Sequence, residues 1–462
     1  MRGLRLLHTH LNAELLSQED LMDMLFLRLD FVCVLTVSPH GEPMQWQYAN
    51  LLPQSENISS SQERKPYIVH TPMSYLEAEI DFVAIAEALE EELSRSLADS
   101  KETDSSTRAL LISVSTQAKS IQETHLDELS ELAKTAGLTV VGQIIQRVAR
   151  VNPQSILGKG KLAELEIQAL QAHASILIFD GELSPAQLQN LANITERKVL
   201  DRTQVILDIF ASHAVTSAGK LQVEMAQLKY TQPRLVGKNR AMDRLMGGIG
   251  GRGPGETKLE TDRRRIRDRI AKIKKSLSDL RKQRAFIRER RSRQEIPLVA
   301  IVGYTNAGKS TLLNTLTRSE VLAENKLFAT LDPTTRRLRF PEEHEVILAD
   351  TVGFIRNLPK ELTEAFQATL EELEVADLLL QVADASHPNL NQQLSSVEDV
   401  LVDMKLMDMP RILVLNKWDS VPPEDRVILQ NAYPHAIYIS AEHNMGLHTL
   451  LKEISEILRF SY

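Results

Sequence analysis

The sequence predicts an α/β protein: an N-terminal α/β domain, a helical coiled-coil hairpin linker and a C-terminal doubly wound P-loop domain. Three observations carry this. A short apolar run, Ile296 to Val302, feeds the glycine loop Gly303-Tyr304-Thr305-Asn306-Ala307-Gly308-Lys309-Ser310, and a helix-like Thr311 to Leu316 follows. Strand, glycine loop and helix in that order make a phosphate-binding loop credible. Downstream, apolar runs at 345–349, 378–383, 411–415 and 436–439 alternate with helical stretches at 359–373, 390–405, 423–431 and 446–459. Such alternation builds a sheet covered on both faces, with ligands expected at the carboxyl ends of its strands. Upstream, residues 108–212 alternate in the same way, whereas 213–295 space their apolar residues by three, four and seven, the rhythm of paired helices.

Bulk properties narrow the classes. A chain of 462 residues holds two or three domains, and 43% hydrophobic with 25% charged residues is ordinary for a globular protein. A net charge of −8 argues against a coat of basic residues but leaves room for a basic patch. The single cysteine, Cys33, can form no internal disulfide and suits a reducing compartment. It sits in Phe31-Val32-Cys33-Val34-Leu35, where a buried structural thiol is expected rather than a nucleophile. Met1 to Leu11 has too short an apolar run for a signal peptide, and no segment approaches 18 consecutive apolar residues, so the cytoplasm is the default.

In chain order, residues 1–107 form an N-terminal extension of unknown role. Leu21 to Leu29 is apolar enough for a helix, Phe31 to Val37 for a buried strand, Gln54 to Lys65 is a serine-rich loop, and Tyr75 to Leu97 has helical spacing. His8-Thr9-His10 offers two imidazoles, but residues i and i+2 share no helix face and no third ligand stands out, so no metal is expected there. Residues 108–212 are the α/β domain: strands at 109–114, 138–145 and 175–179, helices at 123–136 and 162–173, and a helix opened by Ser184-Pro185. Gly158-Lys159-Gly160-Lys161 has no strand before it and is a poor phosphate loop; a basic loop touching nucleic acid and a plain helix start remain open. Residues 213–295 are the hairpin: a shorter arm at 217–231 interrupted at Pro233, the glycine-rich tip Gly247 to Gly255, and a long arm striped by Leu259, Ile266, Ile270, Ile273, Leu277, Leu280 and Ile287. Between Glu256 and Glu295 lie sixteen Lys/Arg against seven Asp/Glu, including Arg263-Arg264-Arg265, Arg267 and Arg269. The bland account is a solvated face. Basic excess beside a glycine loop in an acidic protein favours contact with an RNA backbone, and with only Phe286 interleaved, phosphate contact outweighs base stacking.

In 296–462, chemistry gathers at strand ends. The loop's backbone N–H groups can cradle phosphates, Lys309 can reach the β/γ-phosphates and Ser310 can bind Mg²⁺. After Val346 to Ala349 comes Asp350-Thr351-Val352-Gly353, a carboxylate for the Mg²⁺ shell and a glycine whose N–H can meet a γ-phosphate. After Ile412 to Leu415 comes Asn416-Lys417-Trp418-Asp419. Asp419 can accept two hydrogen bonds from guanine, and adenine would leave it unpaired. After Ile437 to Ile439 comes Ser440-Ala441-Glu442, where a backbone N–H could meet the guanine carbonyl. Arg337–Phe340 and Glu345–Leu348 around a turn at 341–344 form an antiparallel edge. Many such sites place a water-orienting glutamine after Asp-x-x-Gly. Here Phe354 stands there, so slow intrinsic hydrolysis and a need for a partner are expected.

The four strand-end motifs resemble the translation-factor-like class of P-loop GTPases over 296–462. Switch I then falls in Phe328-Ala329-Thr330-Leu331-Asp332-Pro333-Thr334-Thr335, with Thr330, Thr334 and Thr335 as candidate threonines. The Phe-Ala-Thr-Leu-x-Pro run looks like the Obg/HflX arrangement, which selects Thr330 to join Ser310 on Mg²⁺ and leaves Lys309, Thr330 and Gly353 as the catalytic set. Gly250-Gly251-Arg252-Gly253-Pro254-Gly255-Glu256-Thr257-Lys258-Leu259-Glu260-Thr261-Asp262-Arg263-Arg264 and Ile156-Leu157-Gly158-Lys159-Gly160-Lys161 resemble the HflX family in particular. The resemblance implies a Mg²⁺-dependent GTPase, monomeric and with no DNA partner expected, that binds the large ribosomal subunit and its rRNA and can split stalled ribosomes. Residues 1–107 add a segment that shorter members lack, and the chain stops one helix after Ser440, without the C-terminal domain of some members. A ribosome-assembly GTPase of Era or Obg type, a P-loop kinase or ATPase, and a nucleotide-regulated RNA-binding switch are the competing readings; Asp419 weighs against the kinase.

Overall fold

A computed structural model describes residues 4–11, 13–27, 29–51, 67–77, 81–85, 87–88, 91, 107–195, 197–245, 258–292, 296–317, 327–328, 334–340, 344–356, 362 and 373–459. The chain divides into two compact units, one of Met1–Leu126, Leu138–Asp180 and Asn190–Leu200, the other of Asp127–Gly137, Gly181–Gln189 and Asp201–Tyr462.

The first unit opens with β1 (Arg5–Leu11), α1 (Gln18–Phe26), β2 (Phe31–Val37), β3 (Pro43–Leu51), β4 (Tyr67–Val69) and β5 (Met73–Ser74). These form one sheet in the order β1-β2-β3-β4, with β5 on β3; β1 runs parallel to β2, and β3 antiparallel. Apolar Phe31 to Val34 is buried throughout, as a central strand requires. Cys33 is among them, and burial pushes its thiol up to about 11, which fits a structural rather than a reactive cysteine. The helix expected over 75–97 is represented by a 3₁₀ turn at Tyr75–Glu77 and helical residues 82–85, 87–88 and 91. The serine-rich stretch 54–65 lies outside the described residues.

The chain continues with β6 (Arg108–Ser115), α2 (Lys119–Thr135), β7 (Thr139–Arg147), α3 (Lys159–Gln171), β8 (Ile176–Phe179), α4 (Pro185–Ile194) and β9 (Lys198–Asp201), and the four strands form a sheet ordered β7-β6-β8-β9. Strand β6 pairs in parallel with β7 and β8. Ser184 and Gln187 close a reciprocal cap on α4: the Gln187 N–H donates to Ser184 Oγ (3.2 Å) and the Ser184 N–H to Gln187 Oε1 (2.9 Å). Gly158 is the N-cap of α3, and Lys161 pairs with Glu164 one turn on (2.6 Å), so this stretch opens a helix.

Helix α5 (Arg202–His213) leads to α6 (Ser217–Leu245) and α7 (Lys258–Ser292), which pack together as a hairpin. Ile273 and Leu277 of α7 and Val223, Met225, Ala226 and Tyr230 of α6 are buried, while Arg264, Arg265, Arg267, Arg269, Lys272, Lys274 and Lys275 face solvent. Glu224 takes Arg269 as a bidentate pair at 2.6 and 2.7 Å. One expectation is corrected: α6 does not stop at Pro233 but runs through it to Leu245. An internal proline costs about 3 kcal/mol or more through its lost N–H. The Arg234 guanidinium anchors the helix beside the proline, donating to the Tyr230 carbonyl (2.8 Å), to Glu182 (2.9 Å) and to the Leu183 carbonyl (3.0 Å) while lying over the Tyr230 ring. The glycine tip 247–255 lies outside the described residues.

The rest of the second unit is a six-stranded sheet. Its elements are β10 (Leu298–Gly303), α8 (Lys309–Thr317), β11 (Thr334–Arg339), β12 (Glu345–Asp350), β13 (Leu378–Asp384), α9 (Leu390–Asp403), β14 (Arg411–Asn416), α10 (Pro423–Ala432), β15 (Ile437–Tyr438) and α11 (Leu447–Leu458). The strand order is β11-β12-β10-β13-β14-β15, all parallel except the antiparallel edge β11. Leu312, Leu313 and Leu316 of α8 and Leu450 and Ile454 of α11 pack on Val299, Ile301, Leu380 and Val414. Leu390 and Leu394 of α9 pack on Ala383 and Leu415. Residues facing alternate sides of a strand thus meet separate helix layers, which is the doubly wound arrangement. The register sets Asp350 opposite the strand pair of Ile301 and Asn416 opposite Asp384, bringing the polar strand ends to one edge.

Candidate nucleotide site

The loop after β10 is tight. Gly303 has φ +154°, and a Cβ there would lie 2.0 Å from the Val382 carbonyl oxygen; Gly308 has φ +87°, and its Cβ would lie 2.2 Å from Asn416 Nδ2. Only glycine fits either place. Asn306 also takes positive φ (62°) at the exposed crest, where Asn tolerates it. Ala307 and Thr305 are buried beneath the crest.

Lys309 turns back under its own loop, and its ammonium donates to the carbonyls of Gly303 (3.1 Å) and Tyr304 (2.7 Å). Burial pushes it down to about 8, with Asp350 opposing that shift. Beside it the Ser310 hydroxyl donates to Asp350 Oδ2 at 2.6 Å. A hydroxyl and a fully buried carboxylate are hard oxygen donors of the kind Mg²⁺ takes, so the set fits that ion. Thr351 donates to the Ile301 carbonyl (2.7 Å) and fixes the turn out of β12. Val352 is buried, and a Cβ on Gly353 would meet Lys309 Nζ at 3.0 Å and Thr305 Cα at 3.0 Å, so the glycine permits this close approach. Phe354 is 2% exposed and zipped to the loop: its N–H donates to the Gly303 carbonyl (3.0 Å), and its carbonyl accepts from the Thr305 N–H (2.8 Å). Its side chain is a core residue with nothing to offer a water.

Asn416 spends both ends of its amide inside the fold. Its Nδ2 donates to the Ala307 carbonyl (2.9 Å) and its Oδ1 accepts from the Ala441 N–H (3.0 Å), tying β14 to the glycine loop and to the 440–442 loop. Lys417, at positive φ (58°), sends its ammonium to Asp384 Oδ2 at 2.7 Å. Trp418 packs against Tyr438 with the rings tilted by 46° (centroids 4.4 Å) and lies under Arg426. Asp419 is left 27% exposed, with hydrogen bonds from Ser440 first and Ser420 (3.0 Å) holding its carboxyl below the usual carboxylate range. A charged, partly open carboxylate can accept from a base edge. Ser440 and Met445 exchange both backbone bonds (3.1 and 3.0 Å) and close the following loop, which also carries Glu442. Of the proposed switch I, Phe328 is buried against Phe210 (centroids 4.6 Å), while Ala329, Thr330, Leu331 and Asp332 lie outside the described residues.

Three family models match this chain in succession: "GTP-binding GTPase N-terminal" over residues 123–211, "GTP-binding GTPase Middle Region" over 213–291 and "50S ribosome-binding GTPase" over 298–417. A GTPase HflX from Lacrimispora saccharolytica is 49% identical over 353 residues, which is 76% of this chain and 83% of that protein. The chain belongs to the HflX family of GTPases. The HflX of Escherichia coli K12 is 42% identical over 360 residues, covering 77% of this chain and 84% of its own length. Among solved structures, a GTP-binding protein from the hyperthermophilic archaeon Sulfolobus solfataricus in complex with GDP aligns at TM-score 0.38 and 25% identity, over 76% of this chain and 98% of that one.

In this HflX chain, the sequence motifs miss three residues, Glu128, Arg202 and Arg356, that meet Tyr304 of the glycine loop. The Tyr304 hydroxyl donates to Glu128 and accepts from the Arg356 N–H (2.9 Å). Arg202 donates to Glu128 Oε2 (2.9 Å) and to the Arg356 carbonyl (3.3 Å), and Arg356 Nε also reaches Glu128 Oε2 (3.3 Å). Burial alone would raise Glu128; Arg202, the Tyr304 hydroxyl and Arg356 outweigh it and hold the carboxyl below its usual range. The segment leaving Gly353 is thereby pinned to the phosphate loop through one half-buried carboxylate. No motif flags Glu128, since it is one acid among several on an amphipathic helix.

Proposed function

We propose that this chain hydrolyses GTP with Mg²⁺ on the large ribosomal subunit, and that the hydrolysis serves the splitting or rescue of stalled ribosomes. The observation that carries the nucleotide half is Lys309, Ser310 and Asp350 converging under a glycine loop that Asn416 ties to the 440–442 loop beside Asp419. In this reading Lys309 leaves its two carbonyls for the β- and γ-phosphates, and the backbone N–H groups of 303–310 cradle them. Ser310 and Thr330 would hold Mg²⁺ with Asp350 behind, and the ion, when bound, supplies charge neutralisation at the transferring phosphoryl group. The Gly353 N–H meets the γ-phosphate, Asp419 accepts from guanine, and the 440–442 backbone faces its carbonyl. Phe354 cannot orient water, so the group that does so comes from a partner that reorders the stretch after Gly353.

The ribosomal half rests on the family model named for 50S binding and on the exposed cations of α7, which suit the phosphate backbone of rRNA. We take the chain to act in the cytoplasm as a monomer, with an N-terminal extension over 1–107, an α/β domain over 108–212, the hairpin over 213–295 and the GTPase domain over 296–462. Among the described residues no helix is long and apolar enough to cross a membrane. The test is co-sedimentation with ribosomes and isolated subunits in GTP, GDP and a non-hydrolysable analogue, with turnover measured in parallel. Retention on the large subunit with the analogue and a rise in turnover of tenfold or more are expected; equal turnover with and without ribosomes would sink the reading.

A further inference from the structure

The pair His8 and His10 lies on β1, where side chains alternate, so the two imidazoles share the half-buried face with Leu6 while Leu7, Thr9 and Leu11 point the other way. Spacing by two, which separates residues on a helix, brings them together on a strand. The third ligand, not evident from spacing, comes from the first turn of α1. Asp20 is fixed there by its cap: Oδ2 accepts from the Ser17 N–H and hydroxyl, both at 2.7 Å, and the Asp20 N–H donates to Ser17 Oγ (3.2 Å). The result is His8 Nε2 at 3.0 Å from His10 Nε2, at 3.1 Å from Asp20 Oδ1, and His10 Nε2 at 3.7 Å from Asp20 Oδ2. Two ligands held at about 2.0–2.1 Å from one tetrahedral ion lie about 3.3 Å apart, and His8 Nε2 stands within about 0.3 Å of that spacing from both His10 Nε2 and Asp20 Oδ1, with all three ligand atoms within 4.8 Å of one another.

Proton bookkeeping favours a cation. His10 Nδ1 lies 3.2 Å from the Glu14 carbonyl, an acceptor only, so the ring keeps its proton on Nδ1 and presents the Nε2 lone pair. This is the arrangement by which a second hydrogen bond orients a metal-binding histidine. His8 Nδ1 is buried with no partner among the described residues, so that ring is placed from its Nε2 side. One proton on His8 Nε2 would have to serve His10 and Asp20 together; a divalent ion satisfies all three lone pairs at once.

We propose that His8, His10 and Asp20 bind one first-row divalent metal ion, Zn²⁺ foremost, in the N-terminal unit. Two imidazoles and a carboxylate suit Zn²⁺ and disfavour Mg²⁺, which takes oxygen ligands. The side chains are 25%, 20% and 16% exposed, which leaves a fourth position open to water. The bound ion would clip the edge strand β1 to α1.

The full-length protein, stripped with EDTA, is titrated with Zn²⁺ and separately with Mg²⁺ in a calorimeter. One Zn²⁺ per chain is expected, with no such binding of Mg²⁺ at this site. Asp20→Asn and the double variant His8→Ala/His10→Ala should each weaken it at least tenfold (on the order expected for lost ligands). Asp20→Asn keeps a carbonyl oxygen for the Ser17 cap and so reports the site even if the double variant distorts β1. Zn²⁺ binding of unchanged affinity and stoichiometry in both variants, or no Zn²⁺ binding by the wild type, overturns the proposal.

Discussion

Lys309 gives a quantitative prediction. In the nucleotide-free protein burial pushes its ammonium down to about 8 from an ordinary 10.5. Phosphates arriving on it restore the ordinary value, so binding takes up a proton wherever the empty site has lost one. At pH 8.5 about three-quarters of the empty sites are deprotonated, against about a tenth at pH 7, by the titration equation. GDP should therefore bind with uptake of about 0.75 proton at pH 8.5 and about 0.1 at pH 7. Affinity should fall about fourfold between them, or about 0.8 kcal/mol. GDP is preferred to GTP because it is not hydrolysed during the titration, and pH 8.5 stays below the range in which guanine loses its own proton. Calorimetry in two buffers of different ionisation enthalpy, at fixed Mg²⁺, counts the protons. Lys309→Arg stays charged, and whatever affinity it keeps should be flat with pH. Proton uptake near zero at pH 8.5 together with equal affinity would refute the argument. The same shift has a stability sign: between pH 8 and 10.5 the unfolded chain holds a proton that the empty folded site does not. Stability of the free protein should thus rise across that window and be lost as pH falls through 8.

Other expectations follow from the remaining contacts. Asp419→Asn should weaken GDP by roughly 10²–10³, less than for a fully buried acceptor because Asp419 is 27% exposed, and should gain xanthosine nucleotides, as competition binding would reveal. Gly308→Ala should cost roughly 10–100-fold in GDP affinity, from about 1–2 kcal/mol of left-handed strain and the displaced Asn416 bond, read by fluorescent-nucleotide titration. Tyr304→Phe removes the hydroxyl between Glu128 and Arg356, a bond to a charged group worth about 1.5–3 kcal/mol. The Arg356 amide should then exchange hydrogen faster while the fold persists, and unchanged exchange would show that the link does not hold that segment.

Local signals foretold the GTPase sheet well because its inner strands are short apolar runs, several ended by a polar residue, as in Val346 to Asp350 and Ile412 to Asn416. What stayed hidden depends on long-range pairing. Glu128 and Tyr304 are 176 residues apart, and no periodicity joins them. Helical geometry would separate His8 from His10, but their segment is a strand, where spacing by two is what aligns side chains, and Asp20 joins them only through the cap of α1. A proline in a helical run reads as a helix end because its cost is local, whereas the helix here is anchored by long-range bonds of the neighbouring Arg234, which reaches across to Glu182 and Leu183. Asn416 belongs to a motif legible in the sequence, but the commitment of its amide to backbone groups of two loops depends on contacts 109 and 25 residues away.

That commitment of Asn416 bears on how a ligand is gripped. A hinge between the base-reading loop and the phosphate loop would let each half of a nucleotide settle separately, with ordering entropy lost at the second step. Here the amide rivets the two loops together before anything enters, so guanosine alone and pyrophosphate alone should meet nearly the same walls that GDP meets. Joining the two fragments through a ribose then gains mainly the effective concentration of a tethered second half, and the grip of the whole approaches the product of its parts.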